Sequence, residues 1–263
     1  MTTKVKILGS GNSSGVPAIE NFWGNCDPDN PKNRRSRPCV AVYNENTTLI
    51  VDTGPDFKEQ FNASGLERVD AVLYSHAHGD HVNGIDELRV LNFIQNQKTP
   101  VYAGMETLKD LQNRFSYMFY GSDDGLYSKV IDIRCIVPDD FYTPMGLRDL
   151  EFSVFPQDHG TCESLGIRTG DTAYSPDMVD LGPKTIEHLK GIKTWIVDGS
   201  GYNSGSNPVH ASIKKIYDLN DHIGAEKVYL AHLSPYMDYD QLMKELKSCC
   251  EPSYDGLEID VND

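Results

Sequence analysis

The 263-residue sequence is short of positive charge: 24 Lys and Arg stand against 39 Asp and Glu, for a formal net charge of -15. Phosphate backbones and anionic membrane surfaces are bound mainly through Lys and Arg, so long nucleic acids and membranes are disfavoured as partners. Apolar runs long enough to span a bilayer are missing, and the opening Met1-Thr2-Thr3-Lys4-Val5-Lys6-Ile7-Leu8-Gly9 lacks the apolar stretch of a secretory signal. The six cysteines, Cys26, Cys39, Cys135, Cys162, Cys249 and Cys250, include no C-x-x-C pair. That scatter argues against a disulfide framework and a thiolate zinc site, and fits a reducing, cytoplasmic setting. Cys249 and Cys250 read as helix-end residues. Gly/Ser/Pro-rich linkers, low-complexity tracts and repeats are lacking too, so residues 1–263 are expected to form a single domain, and a homodimer is compatible with the composition.

What is present is a series of short β-branched or apolar runs at 5–8, 39–43, 48–51, 71–75, 131–136, 150–155, 165–169, 194–198 and 227–231, each expected to be a strand. Helix-period stretches fall at 56–63, 86–97, 106–120, 185–190, 210–220 and 239–248. Strands precede helices in both halves, an order that suits an α+β sandwich of two sheets flanked by helices better than regular βαβ alternation. The stretch Gly9-Ser10-Gly11-Asn12-Ser13-Ser14-Gly15 follows the first strand but lacks the GxGxxG register and a following Lys-Ser/Thr, so it is a poor nucleotide cradle.

Chemistry concentrates in Ser75-His76-Ala77-His78-Gly79-Asp80-His81, an H-x-H-x-D-H string just beyond the apolar run 71–74. Alternate side chains of an extended loop face one way, so His76 and His78 can share one metal while Asp80 and His81 turn toward a second. Gly79 and Gly84 allow the tight turns that such crowding of ligands needs.

These residues resemble the metallo-β-lactamase superfamily, and the resemblance covers nearly the whole chain. Asp52 in Val51-Asp52-Thr53-Gly54, His159 in Asp158-His159-Gly160, Asp177 in Ser175-Pro176-Asp177 and His232 in Ala231-His232-Leu233-Ser234 follow in the family's order. The resemblance implies a four-layer αββα sandwich in which His76, His78 and His159 hold one metal, Asp80, His81 and His232 hold the other, and Asp177 bridges them. Asp52 is then expected to accept the outer N–H of a ligating imidazole and fix its tautomer. The ligands are nitrogen and oxygen without sulfur, so zinc, manganese and iron all fit. Two divalent ions bridged by Asp177 and a solvent oxygen would supply a hydroxide near neutral pH, which is hydrolysis chemistry. An Asp as fourth ligand, where many true zinc β-lactamases carry Cys, argues against antibiotic cleavage.

Within the superfamily the sequence is similar to the PhnP-like phosphoribosyl cyclic phosphate phosphodiesterases through Gly9-Ser10-Gly11, Gly15-Val16-Pro17, Arg34-Arg35-Ser36-Arg37-Pro38, Gly84-Ile85-Asp86-Glu87-Leu88-Arg89 and Pro208-Val209-His210-Ala211-Ser212. That likeness implies a phosphodiesterase acting on a small cyclic sugar phosphate or nucleotide ester. His210, expected to start a helix, would act as a general acid or hold a phosphoryl oxygen, and with Asp80 it is a candidate catalytic group. Lys32, Arg34, Arg35 and Arg37 would receive a terminal phosphate or lie on a solvated loop. Relatives of this type carry several N-terminal cysteines for a structural zinc; only Cys26 is present, so that metal is expected to be absent. His188 and His222 are expected on polar helix faces. Thioester or lactone hydrolysis, a tRNase Z-like nuclease and a non-catalytic metal-binding scaffold are the alternatives.

Overall fold

The structure, a computed structural model, describes residues 2–122, 124–202 and 207–262. The first sheet contains β1 (Thr3–Gly9), β2 (Cys39–Tyr43), β3 (Thr48–Val51), β4 (Ala71–Leu73), β5 (Thr99–Gly104) and β6 (Ile131–Ile136). The second runs in chain order through β7 (Met145–Leu147), β8 (Leu150–Asp158), β9 (Glu163–Thr169), β10 (Thr172–Ser175), β11 (Thr194–Asp198), β12 (Lys227–Ala231) and β13 (Cys250–Pro252). The last strand, β14 (Glu258–Val261), returns to the first sheet and pairs antiparallel with β1. Each sheet is antiparallel on one side, and β3 to β6 and β10 to β13 are parallel.

Burial alternates between two cores along the strands, which is why the sandwich has four layers. In β3, Leu49 and Val51 join the core between the sheets, where they meet Phe152, Val154, Ile167 and Ile196, while Ile50 faces the helices. All three are fully buried, as expected of a strand covered on both faces. The outer face of the first sheet is covered by α1 (Phe57–Ser64), α3 (Glu87–Gln95), α4 (Met105–Arg114) and α5 (Ser116–Tyr120), which insert Phe57, Leu88, Leu111 and Phe119. The outer face of the second is covered by α6 (Pro183–Leu189), α7 (Ile213–Ile223) and α8 (Tyr239–Glu245) through Leu189, Ile216 and Leu242. The remaining helix, α2 (Gly79–Val82), is one turn within the histidine string itself. No helix among the described residues is long and apolar enough to cross a membrane.

The sequence expectation of a two-sheet α+β sandwich agrees with this architecture, but several elements differ. Strands β5, β7, β10, β13 and β14 were not expected. They are short, or interrupted by Pro100, Gly146 or Pro252, and are held by their neighbours rather than by their own propensity. The expected helix 106–120 breaks at Phe115, whose φ of -127° is not helical. The expected helix 210–220 begins later, at Ile213, with Ser212 capping the Lys215 N–H at 3.3 Å; His210 therefore lies in the loop before the helix.

Candidate metal centre

Both sheets end their parallel strands at the same edge, and the candidate residues gather there. A backbone bond from Leu165 N–H to the Ser75 carbonyl, 2.8 to 3.2 Å being ordinary for such bonds, joins the sheets at 3.0 Å beside the string. His76 and His78 lie in extended chain beyond β4, whereas Asp80 and His81 project from the turn α2. The string is thus half extended and half helical, not the wholly extended loop read from the sequence. Gly54 and Gly84 permit this packing: a Cβ on Gly54 would stand 2.1 Å from the Asp80 carbonyl oxygen, and one on Gly84 2.1 Å from that of Gly54. Arg114 anchors the outside of the string, donating from Nη1 to the Ala77 carbonyl and from Nη2 to Asn83 Oδ1, both at 2.6 Å.

All seven ligand candidates converge, in two groups that share Asp177: His76, His78, His159 and Asp177, and Asp80, His81, His232 and Asp177. In the first, His78 Nδ1 lies 2.9 Å from His76 Nε2 and 3.3 Å from His159 Nε2, and Asp177 Oδ2 lies 3.9 and 3.6 Å from the same two nitrogens. In the second, Asp177 Oδ1 lies 3.3 Å from His81 Nε2 and 3.2 Å from His232 Nε2, with Asp80 Oδ2 3.4 and 3.3 Å away from them. Tetrahedral coordination with bonds near 2.0–2.1 Å separates neighbouring ligand atoms by about 3.3–3.4 Å, so these edges suit a cation. Two further facts favour the fit. His81 Nε2 and Asp177 Oδ1 are buried without a hydrogen-bond partner, and each faces the interior of its group. The outer nitrogens are engaged elsewhere: His76 Nδ1 donates to Ser75 Oγ at 3.0 Å, His81 Nδ1 to Asp52 Oδ2 at 2.7 Å, and His159 Nδ1 to the Val209 carbonyl at 2.7 Å. This fixes the tautomers so that the Nε2 lone pairs point inward.

Asp52 also accepts from the backbone N–H and hydroxyl of Ser75 at 2.8 and 2.7 Å, so one carboxylate orients His81 directly and His76 through Ser75. Asp52 and His232 both have positive φ, 64° and 57°, and both stand just past strand ends. For a histidine that conformation is uncommon and is tolerated where the surroundings over-determine it, as at binding sites. Electrostatics follow from burial and proximity. Burial opposes charge on His81, but Asp177 and Asp52 overcome it and raise the imidazole well above its ordinary value. Burial likewise works against ionised Asp80, yet the hydrogen bond from His232 and the neighbouring His81 imidazole hold its carboxyl below the usual range. His159 is lowered, mainly by burial.

His210 reaches the edge of the cluster, with ring centroids 5.2 Å from His232 and 5.4 Å from His159. Its Nδ1 donates to Asp198 Oδ2 at 2.6 Å. Asp198 was missed in the sequence, although it closes the apolar strand β11 as Asp52 closes β3, and a carboxylate ending a buried strand was the available signal. The basic segment 32–37 is neither uniformly buried nor uniformly solvated. Arg35 is 1% exposed and donates to the Met237 and Ser234 carbonyls at 2.7 and 3.5 Å and to Asn33 Oδ1 at 3.2 Å. Arg37 pairs with Asp56 at 2.7 Å, Lys32 sits over the Tyr239 and Tyr254 rings, and Arg34 sits over Trp23. The segment thereby braces the loop after His232. Buried Cys26 lies 3.9 Å from Arg35 Nη1 and joins none of the potential metal groups among the described residues. His222 is exposed as expected, but His188 is half-buried and 2.9 Å from Ser153 Oγ.

A two-sheet αββα sandwich with His and Asp ligands gathered at one edge defines the metallo-β-lactamase class of hydrolase folds. The chain belongs to that family: the model of the beta-lactamase superfamily domain matches residues 47–233, and the fold is PhnP-like. A crystal structure of a diphosphatase from the PhnP family is 27% identical, with a TM-score of 0.86 over 99% of this chain and 97% of its own. An octanoyltransferase of Porphyromonas gingivalis is 29% identical over 98% of this chain but only 51% of that protein, so the chain spans about half the length of this curated relative. A ribonuclease Z of Methanopyrus kandleri is 28% identical over 82% of this chain and 88% of its own.

Proposed function

We propose that the protein is a dinuclear metal-dependent phosphodiesterase acting on a small cyclic sugar phosphate or nucleotide ester. The observation that carries the reading is the Asp198–His210 pair set against the ligand cluster: an imidazole held at Nδ1 by a carboxylate beside the groups that could bind metal. His76, His78 and His159 would hold one ion, Asp80, His81 and His232 the other, and Asp177 both. Such ions supply Lewis-acid activation of water and of the phosphoryl oxygens. The protein's own residues then do the rest. Asp52, Ser75 and the Val209 carbonyl keep the ligating imidazoles in one tautomer. Protonated His210, its charge balanced by Asp198, gives its Nε2 proton to the departing alkoxide while Nδ1 stays on the carboxylate. The similarity to a diphosphatase supports phosphate as the electrophile.

The test is a screen of the metal-loaded protein against bis-p-nitrophenyl phosphate, cyclic nucleotides, a ribose cyclic phosphate, thioesters and lactones, repeated with His210→Ala. Wild type should cleave the phosphodiesters. The variant should keep its metals and lose about 10²- to 10⁴-fold in kcat on esters with poorly acidic alcohols, and far less on p-nitrophenyl esters, whose leaving group departs without a proton. Preference for thioesters or lactones would overturn the reading, and an equal loss on both ester types would remove His210 from the acid role. The ribonuclease Z similarity favours one rival, a nuclease. A net charge of -15 weighs against it, and tRNA binding that is tight and weakens steeply with salt would bring it forward.

A further inference from the structure

His76, Ala77 and His78 form one wall of a cavity of about 530 Å³, a volume suited to a small organic ligand. The first turns of α4, the loop after β6 and the hairpin between β8 and β9 complete it. Much of the lining is apolar, from Met105, Ile136, Val137, Pro138, Phe141 and Leu165. Met105 and Val137 are left 50% and 40% exposed, apolar surface that a bound group would cover. Every charged side chain of the lining is acidic: Glu106, Asp110 and Glu163. Lys109 pairs with Glu106 at 2.6 Å, but Asp110 and Glu163 have no ion pair among the described residues. The one basic cluster of the sequence, at 32–37, does not line this cavity.

The geometry points to this cavity as the seat of the organic part of the ester, selecting an apolar group that carries hydrogen-bond donors or positive charge and rejecting one that carries a second phosphate. The inference rests on the phosphodiesterase reading and narrows it. A terminal phosphate entering here would meet three carboxylates and no cation of the lining, whereas hydroxyl and amino groups find acceptors in Asp110 and Glu163. Glu163 is the specificity-determining residue with the most accessible test.

Adenosine 2′,3′-cyclic phosphate and its 5′-phosphorylated counterpart present the same scissile ester and differ by the second phosphate. The first should be preferred by about 10-fold or more in kcat/KM, mainly through KM, and Glu163→Lys should narrow that ratio, lowering kcat/KM on the unphosphorylated ester and raising it on the 5′-phosphorylated one. A second measurement needs no turnover. Cys162 is exposed and lines the cavity, so adenosine 3′-monophosphate should slow its alkylation by a maleimide, read by site-resolved mass spectrometry, and adenosine 3′,5′-bisphosphate at equal concentration should not. Equal kcat/KM for the two cyclic esters, or equal protection by the two nucleotides, overturns the inference and leaves the phosphodiesterase reading standing. If neither ester is cleaved but the monophosphate alone protects Cys162, the cavity assignment is supported and that reading is the one that fails.

Discussion

Two buried carboxylates, one from each sheet, hold imidazoles in nearly the same way and to different ends. Asp52, past the end of β3, takes the Nδ1–H of His81 at 2.7 Å, and both side chains are 0% exposed. Asp198, at the end of β11, takes the Nδ1–H of His210 at 2.6 Å, but that imidazole remains 15% exposed. The first arrangement locks a lone pair onto an interior position. The second leaves part of the imidazole open to solvent. Hydrogen-bond geometry is therefore not what would separate the candidate ligand from the proposed proton donor; exposure is.

The largest effect should come from the carboxylate on which the two halves of the cluster converge. Asp177→Asn keeps the shape and removes the charge, and metal content and turnover should fall together, turnover by about 10³-fold or more. Elemental analysis beside a phosphodiesterase assay checks this, and a variant unchanged in both would dissolve the shared site. Next come the paired variants Asp52→Asn and Asp198→Asn. The former should weaken metal affinity by roughly 10- to 100-fold in chelator competition. The latter should retain its metals and lose a comparable factor in kcat on alkyl esters only. Matching losses of metal in both variants would break the comparison. The smallest effect is on stability without metal. His81 is raised above its ordinary value of 6.5, so its contribution is complete below about pH 6.5 and is lost as pH rises through the raised value. Asp80 is depressed, and its contribution is present above about pH 3.8 and lost as pH falls through the depressed value. Calorimetry of chelator-treated protein should show melting temperature falling on the alkaline side of neutrality, and metal should abolish that slope; a metal-free profile that rises there would contradict the His81 environment.

The candidate ligand set was legible because H-x-H-x-D-H packs four donors into six residues, and each later donor follows an apolar run that a strand reading can find. Asp52 was legible for the same reason. Asp198 carries the same mark, a carboxylate ending an apolar run, but no motif ties it to the imidazole it meets twelve residues later. The role of Arg35 was misjudged because neighbouring cations at 32–37 look alike in sequence, whereas burial turns one guanidinium inward toward carbonyls more than 190 residues away. Strands such as β10, four residues of Thr-Ala-Tyr-Ser, owe their state to Ile167 and Trp195 on either side, not to their own composition.

The return of β14 to the first sheet bears on how the chain can be made. β1 is made well before its outer neighbour, the segment 258–261, which follows close to 250 residues later. Every ligand candidate, from His76 to His232, has emerged before that edge is covered, so the cluster can assemble while the Val5 and Ile7 side of the sandwich still presents unpaired backbone. An exposed strand edge is a template for other chains. A polypeptide stopped short of Glu258 would therefore keep every ligand candidate and yet leave that edge open to other chains, which makes β14 a checkpoint on solubility.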